Sequence, residues 1–259
     1  MRTARPSTSP TGLRPLLAES LWGTEAAALA VSPVWRGAGV PPGNGLGVLV
    51  VPGLLASDGS VGALRTWLRA RGYQPVASGI RLNADCLRKA HGRLESRLEE
   101  LVAATGRPAV VIGQSRGGLM AKLLAVLRPD LVAGLVTLGT PLTDVFAIHP
   151  AVRQHVDRVA ALGDRGIPGL FDSSCLPGGE CWEDIMSDLD RPLAPTIPFT
   201  SVYSRRDGIV DWRACLDPAA EHVEVRATHS GMAVNPEVYG ILAVRLGALA
   251  AQAGSRVAA

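Results

Sequence analysis

The stretch Gly113-Gln114-Ser115-Arg116-Gly117-Gly118 sets a serine hydroxyl among small residues, directly after the apolar run AVVIG (109–113) and directly before a segment with helical spacing. A serine on a strained strand-to-helix turn needs small neighbours on both sides, which Gly113 and Gly117 supply. The N-terminus of the following helix favours the negative charge that develops when a hydroxyl attacks a carbonyl. Ser115 is therefore the candidate nucleophile.

A hydroxyl of this kind needs a base, and the base needs an orienting carboxylate. Of the five histidines, His229 lies just past an apolar strand pattern in Ala-Thr-His-Ser-Gly-Met, where a loop can present it. It is preferred to His222, which begins that strand. His91 falls on a charged helix and reads as solvated; His149 and His155 read as surface or lid residues. In Ser-Arg-Arg-Asp-Gly-Ile-Val-Asp, Asp207 follows another strand and Gly208 permits a tight turn. Asp207 is preferred to Asp211, which reads as a cap before Trp212, and to Asp144. An oxyanion needs preorganised donors. One is expected at the Arg116 N–H; the other at the Leu54 N–H in Val51-Pro52-Gly53-Leu54-Leu55, with Leu55 as the alternative. Leu55, Gln114, Met232, Phe146 and Trp182 are the candidate substrate-contacting side chains.

These residues must be held by something regular. Short apolar runs at 47–51, 109–113 and 132–139 read as buried strands, 197–203 and 222–227 read as further strands, and 75–79 as a weak one. Between them, residues 60–71, 84–104, 116–127 and 236–252 carry helical periodicity. The alternation predicts an α/β fold: a mostly parallel sheet of about six strands with helices on both faces. Residues 141–196 break the rhythm and read as a cap or lid insertion over the carboxyl ends of the strands. Residues 1–12 read as disordered and 13–30 as one helix, so the expected division is an N-terminal segment over 1–45 and a main domain over 46–259.

The 259 residues suffice for one sizeable core. The net charge is +3, with 26 Lys and Arg scattered among 23 Asp and Glu, and no basic run interleaved with aromatics argues for nucleic acid as a partner. No apolar run has the length of a membrane span, and no signal-peptide core occupies the first 20 residues, so a cytoplasmic protein is expected. The four cysteines, 86, 175, 181 and 215, form no CxxC pair, and no histidine stands at finger spacing, so no metal is assigned. Cys175 and Cys181 flank a Pro-Gly-Gly turn that permits a disulfide, although free thiols are favoured.

PGLLASDGS, VIGQSRGGLMAKLLA, LVTLGTPLTD, SVYSRRDGIVDW and THSGM, in that order, resemble the esterase/lipase-like α/β-hydrolases from about Gly47 onward. The resemblance implies the α/β-hydrolase fold and a triad of Ser115, Asp207 and His229. It also implies donors at Leu54 and Arg116, no cofactor, and a small-molecule ester or acyl substrate. Two features depart from the common pattern: Pro52-Gly53 stands where many relatives have His-Gly, and Arg116 follows the serine. The expected reaction is hydrolysis of a carboxylic ester through an acyl-enzyme. The alternatives are an acyltransferase, thioesterase or cyclase in biosynthesis, and a non-catalytic binding protein on the same fold. Oligomeric state is not legible.

Overall fold

The computed structural model describes residues 9–257, and side chains through residue 252. Most of the disorder expected at 1–12 therefore falls outside the described residues. Six parallel strands form one sheet: β1 (Gly47–Val51), β2 (Gln74–Ala77), β3 (Ala109–Gln114), β4 (Val132–Leu138), β5 (Phe199–Tyr203) and β6 (Glu221–Glu224). Their order is β2-β1-β3-β4-β5-β6.

Side chains alternate across a strand, so each central strand feeds two cores. Val48, Val50, Val110, Ile112, Val136 and Leu138 point to one face. There they meet Leu64, Trp67 and Leu68 of α4 (Gly62–Ala70) and Val238, Leu242 and Leu246 of α9 (Pro236–Val257). Leu49, Val51, Val111 and Leu135 point to the other. They pack against Leu94, Leu98 and Leu101 of α5 (Leu87–Thr105), Leu123 and Leu124 of α6 (Arg116–Leu127), and Ile185 of α8 (Glu180–Leu189). Burial on both faces is why these strands read as unbroken apolar runs.

The N-terminal helical pattern is not one helix. It divides into α1 (Leu13–Ala18), a 3-10 turn (Glu19–Leu21) and α2 (Trp22–Val31), followed by α3 (Pro33–Arg36). The break turns the buried Glu19 inward. Leu29 joins the first core, and the Trp67 indole donates to the Val34 carbonyl at 2.9 Å, so these helices pack on the sheet domain. Between β4 and β5 the chain forms α7 (Pro150–Gly163), a 3-10 turn (Ser173–Cys175) and α8, with a small apolar cluster of Val156, Val159, Ala160 and Phe171.

The strand order reverses between β1 and β3: the chain leaves β1 for the edge strand β2, then returns to β3 on the other side. Crevices open beyond the carboxyl ends of strands at such a switch point. Val51 pairs with Gly113, so the residues following β1 and β3 emerge side by side.

Candidate active site

Ser115 stands alone between β3 and α6 with φ 52° and ψ −124°. A positive φ on a non-glycine residue costs on the order of 1–3 kcal/mol, so the surroundings must impose it. They do so by close backbone packing. A Cβ on Gly113 would lie 2.3 Å from the Gly117 carbonyl oxygen, and one on Gly117 2.4 Å from that of Pro52. The Ser115 N–H donates to Leu138 O at 2.8 Å, fixing the turn to the end of β4.

The structure brings His229 and Asp207 together: imidazole Nδ1 and carboxylate Oδ2 are 2.7 Å apart. Asp207 follows β5, and its other oxygen accepts from the N–H groups of Ile209 (2.9 Å) and Val210 (2.7 Å). Burial alone depresses the imidazole pKa, but the Asp207 carboxylate, through charge and hydrogen bond, and the more distant Glu19 outweigh it. The net shift is upward. The other acids have local duties. Asp211 accepts from Arg213 N–H at 3.0 Å as a cap, and Asp144 from Phe146 N–H at 3.0 Å.

Of the remaining histidines, His155 of α7 lines the same cavity as Ser115, with Nδ1 2.7 Å from Ala151 O, and the other three lie elsewhere. His222 Nε2 lies 2.7 Å from Asp217 O on the far strand. His149 Nδ1 accepts from Ala151 N–H to cap α7, and its Nε2 lies 3.0 Å from Gly12 O. His91, expected to be solvated, is instead buried, and burial lowers its pKa. It lies on the face of α5 that turns to the core, one residue after Ala90.

Two residues missed by the sequence reading hold this arrangement. Glu19 Oε1 accepts from the N–H groups of Gly208 (2.9 Å) and His229 (3.0 Å), and Oε2 from that of Ser230 (2.8 Å). One buried carboxylate thus ties the acid loop to the histidine loop. Glu25 binds the Thr228 N–H at 2.9 Å, the Thr228 hydroxyl at 2.8 Å and Asn235 Nδ2 at 2.7 Å. The available signal was weak: two acids on apolar helices with no Lys or Arg three or four positions away.

Ser115 and His229 line one cavity of about 440 Å³. Gln114, Leu55, Phe146 and Trp182 also line it, with Val156, Phe171 and Leu176. The Phe146 and Trp182 rings pack at 5.1 Å between centroids. Gln114 Nε2 donates to His229 O at 3.0 Å, which occupies that end of the amide with the histidine loop. Met232 is a correction: it is fully buried in the first core and does not reach the cavity, because the 3-10 turn Ser230–Val234 directs it inward.

At the loop after β1, the Leu55 N–H donates to Asn83 O at 3.0 Å, so it is already taken. Leu55 has φ 57°. The Leu54 N–H meets no backbone acceptor among the described residues, and Arg116, as first residue of α6, has no acceptor within its helix. The Arg116 side chain turns under the neighbouring loop, donating to Asn83 Oδ1 and to Asp85 O (2.5 Å), with Phe171 beneath its plane. Burial pushes its pKa down to about 10.

The chain superposes on solved structures of lipases. Mature Bacillus licheniformis lipase BlEst2 matches with a TM-score of 0.59 at 15% identity, covering 80% of this chain and 92% of that one. The monoacylglycerol lipase of Paleococcus ferrophilus matches at 0.54 and 17%, covering 81% and 96%. The chain has the α/β-hydrolase fold. No family model matches this α/β-hydrolase-fold chain. A curated triacylglycerol lipase from Burkholderia plantarii is 28% identical over 130 residues, which is 47% of this chain. The match spans only 36% of that lipase's length. No helix among the described residues is long and apolar enough to cross a membrane.

Proposed function

We propose that this α/β-hydrolase-fold chain is a serine carboxylic ester hydrolase working through Ser115, His229 and Asp207. The observation that carries the reading is the 2.7 Å contact between His229 Nδ1 and Asp207, beside a strained Ser115 turn that opens on the same cavity. With Nδ1–H donated to Asp207, Nε2 is left as the base. Ser115 Oγ attacks the ester carbonyl carbon as its proton passes to Nε2. The resulting oxyanion is bound by the Leu54 and Arg116 N–H groups, neither of which is committed to the backbone, and by the N-terminus of α6. Collapse expels the alcohol, which takes the proton from Nε2. A water then repeats the sequence on the acyl-enzyme and releases the acid.

The largely apolar cavity suits the acyl chain, with the Phe146–Trp182 pair as its wall. We assign the segment over 141–196 as the cover of that cavity. Two outcomes follow. Ser115→Ala abolishes turnover of p-nitrophenyl esters and labelling by a fluorophosphonate probe while leaving the thermal midpoint within a degree or two. Turnover that survives the substitution refutes the assignment. Across a series of linear acyl esters, kcat/KM rises by about fourfold per added methylene until the cavity is full, as burial of about 0.8 kcal/mol per methylene requires. Trp182→Ala flattens that series.

A further inference from the structure

Cys86 and, 89 and 95 positions later, Cys175 and Cys181 converge beside the cavity. Cys86 is the residue before α5, Cys175 ends the 3-10 turn Ser173–Cys175, and Cys181 lies in the first turn of α8. The Sγ atoms of Cys86 and Cys181 are 3.2 Å apart, those of Cys175 and Cys181 3.6 Å, and all three lie within 4.8 Å of one another. Each is partly buried and none is in a disulfide. The fourth cysteine, Cys215, is buried elsewhere in the fold. From these distances we propose that Cys86, Cys175 and Cys181 form a tris-thiolate site for a soft divalent cation of the zinc class, separate from the Ser115 cluster.

A tetrahedral centre with zinc–sulfur bonds of about 2.3 Å sets neighbouring sulfurs about 3.8 Å apart. The 3.2 and 3.6 Å spacings fall short of that value and the third lies within 4.8 Å, so an ion fits once the sulfurs part by about half an ångström. A disulfide would pair two of the three thiols and strand the third, whereas one cation engages all of them. Softness also selects: sulfur donors favour zinc-like ions over calcium or magnesium. Binding needs no oxidant: three thiols give up three protons as one dication forms three metal–sulfur bonds. The centre then carries one net negative charge. The buried Arg116 guanidinium, which donates to the carbonyl of Asp85 beside Cys86, offsets it. The small cleft that Cys181 borders is also lined by Glu180 and Asp184 and gives access for a fourth oxygen ligand.

The site would join the start of α5 to the two pieces of chain that carry Leu176 and Trp182, and so brace the cavity wall. Sequence spacing hid it, because the ligands are separated by 89 and then 6 positions instead of the short repeats of a zinc finger.

The full-length protein, fully reduced and stripped with a chelator, is titrated with cobalt(II) and then zinc(II). One equivalent of cobalt is expected to give the thiolate charge-transfer absorption and intense visible bands of a tetrahedral sulfur site, which zinc then bleaches. Each of Cys86→Ser, Cys175→Ser and Cys181→Ser is expected to lose the charge-transfer band or weaken it with a changed stoichiometry, while Cys215→Ser keeps it. Because a variant can misfold, the wild-type protein is also alkylated with and without zinc and mapped by mass spectrometry. Protection of those three cysteines, and not Cys215, supports the site. Absence of the cobalt band with all four thiols titrating as reduced, or equal alkylation with and without zinc, overturns the proposal. Ser115 labelling is independent of these readouts, so either reading can fail alone.

Discussion

With Nδ1 committed to Asp207, the His229 imidazole has one free nitrogen, and its protonation decides whether a base is present. Asp207 and Glu19 hold the imidazole pKa above the ordinary value of about 6.5 despite burial. Under the proposed reading, turnover is expected to fall as pH drops through a value above about 6.5, and the acid limb of kcat/KM against pH to lie there. Asp207→Asn removes the main raising charge: the acid limb moves to lower pH, and kcat falls by roughly 10⁴-fold because the imidazole loses the partner that sets its tautomer. A pH profile with an unmoved acid limb would contradict this. Stability runs the other way. A group whose pKa is raised on folding contributes stability that is fully present below the unfolded value and is lost as pH rises through the folded one. Residue types alone marked Ser115, Asp207 and His229 as candidates, because a glycine-flanked serine and loop residues after strands leave local marks. They did not expose that Gln114 is tied to the histidine loop, that Met232 turns inward, or that His91 is buried. Each of those depends on the direction in which a side chain leaves its backbone.

Elements, more than residues, explain why the cluster keeps its shape. The 3-10 turn between α1 and α2 exists to deliver Glu19, whose carboxylate satisfies three N–H groups from two loops. Glu19→Ala leaves those donors without their acceptor, and each buried unsatisfied donor costs about 1–3 kcal/mol. Loosened loops misplace the imidazole, so kcat is expected to fall on the order of 10- to 100-fold with KM little changed. Glu19→Gln keeps an acceptor but removes the charge. It is expected to restore most of the stability while shifting the acid limb to lower pH, a signature that a purely structural prop would not give. At this scale the sequence was read well where strands are central. The runs at 47–51, 109–113 and 132–139 correspond to β1, β3 and β4 within a residue or so. The edge strands β2 and β6 are short and partly exposed, with boundaries shifted or truncated relative to the reading, because one side of each lacks a neighbour to fix its ends. The single helix read over 13–30 was broken for the same kind of reason: Glu19's partners lie about 190 to 210 positions away, and no local pattern records them.

Across the whole molecule, one buried ion pair joins the helix that begins at the serine turn to the approach to the last strand. Lys122 Nζ of α6 lies 2.6 Å from Asp217 Oδ2, with side chains 11% and 8% exposed. Breaking such a pair from one side strands a charge in the interior, at about 3–5 kcal/mol. Lys122→Ala is expected to lower stability to chemical denaturation by that amount, whereas Lys122→Met paired with Asp217→Leu recovers most of it. A denaturation midpoint unchanged in Lys122→Ala would show the pair to be idle.

The Glu19 and Glu25 contacts also set a timetable. The carboxylates leave the ribosome 203 and 210 residues ahead of the loop positions they grip. Until those loops arrive, a nascent copy exposes a serine with no base at its side and two acids with nothing to grip. Under the proposed reading, copies that lack those loops are therefore chemically inert, and the onset of ester cleavage marks the moment when the two acids close on loops made about 200 residues after them.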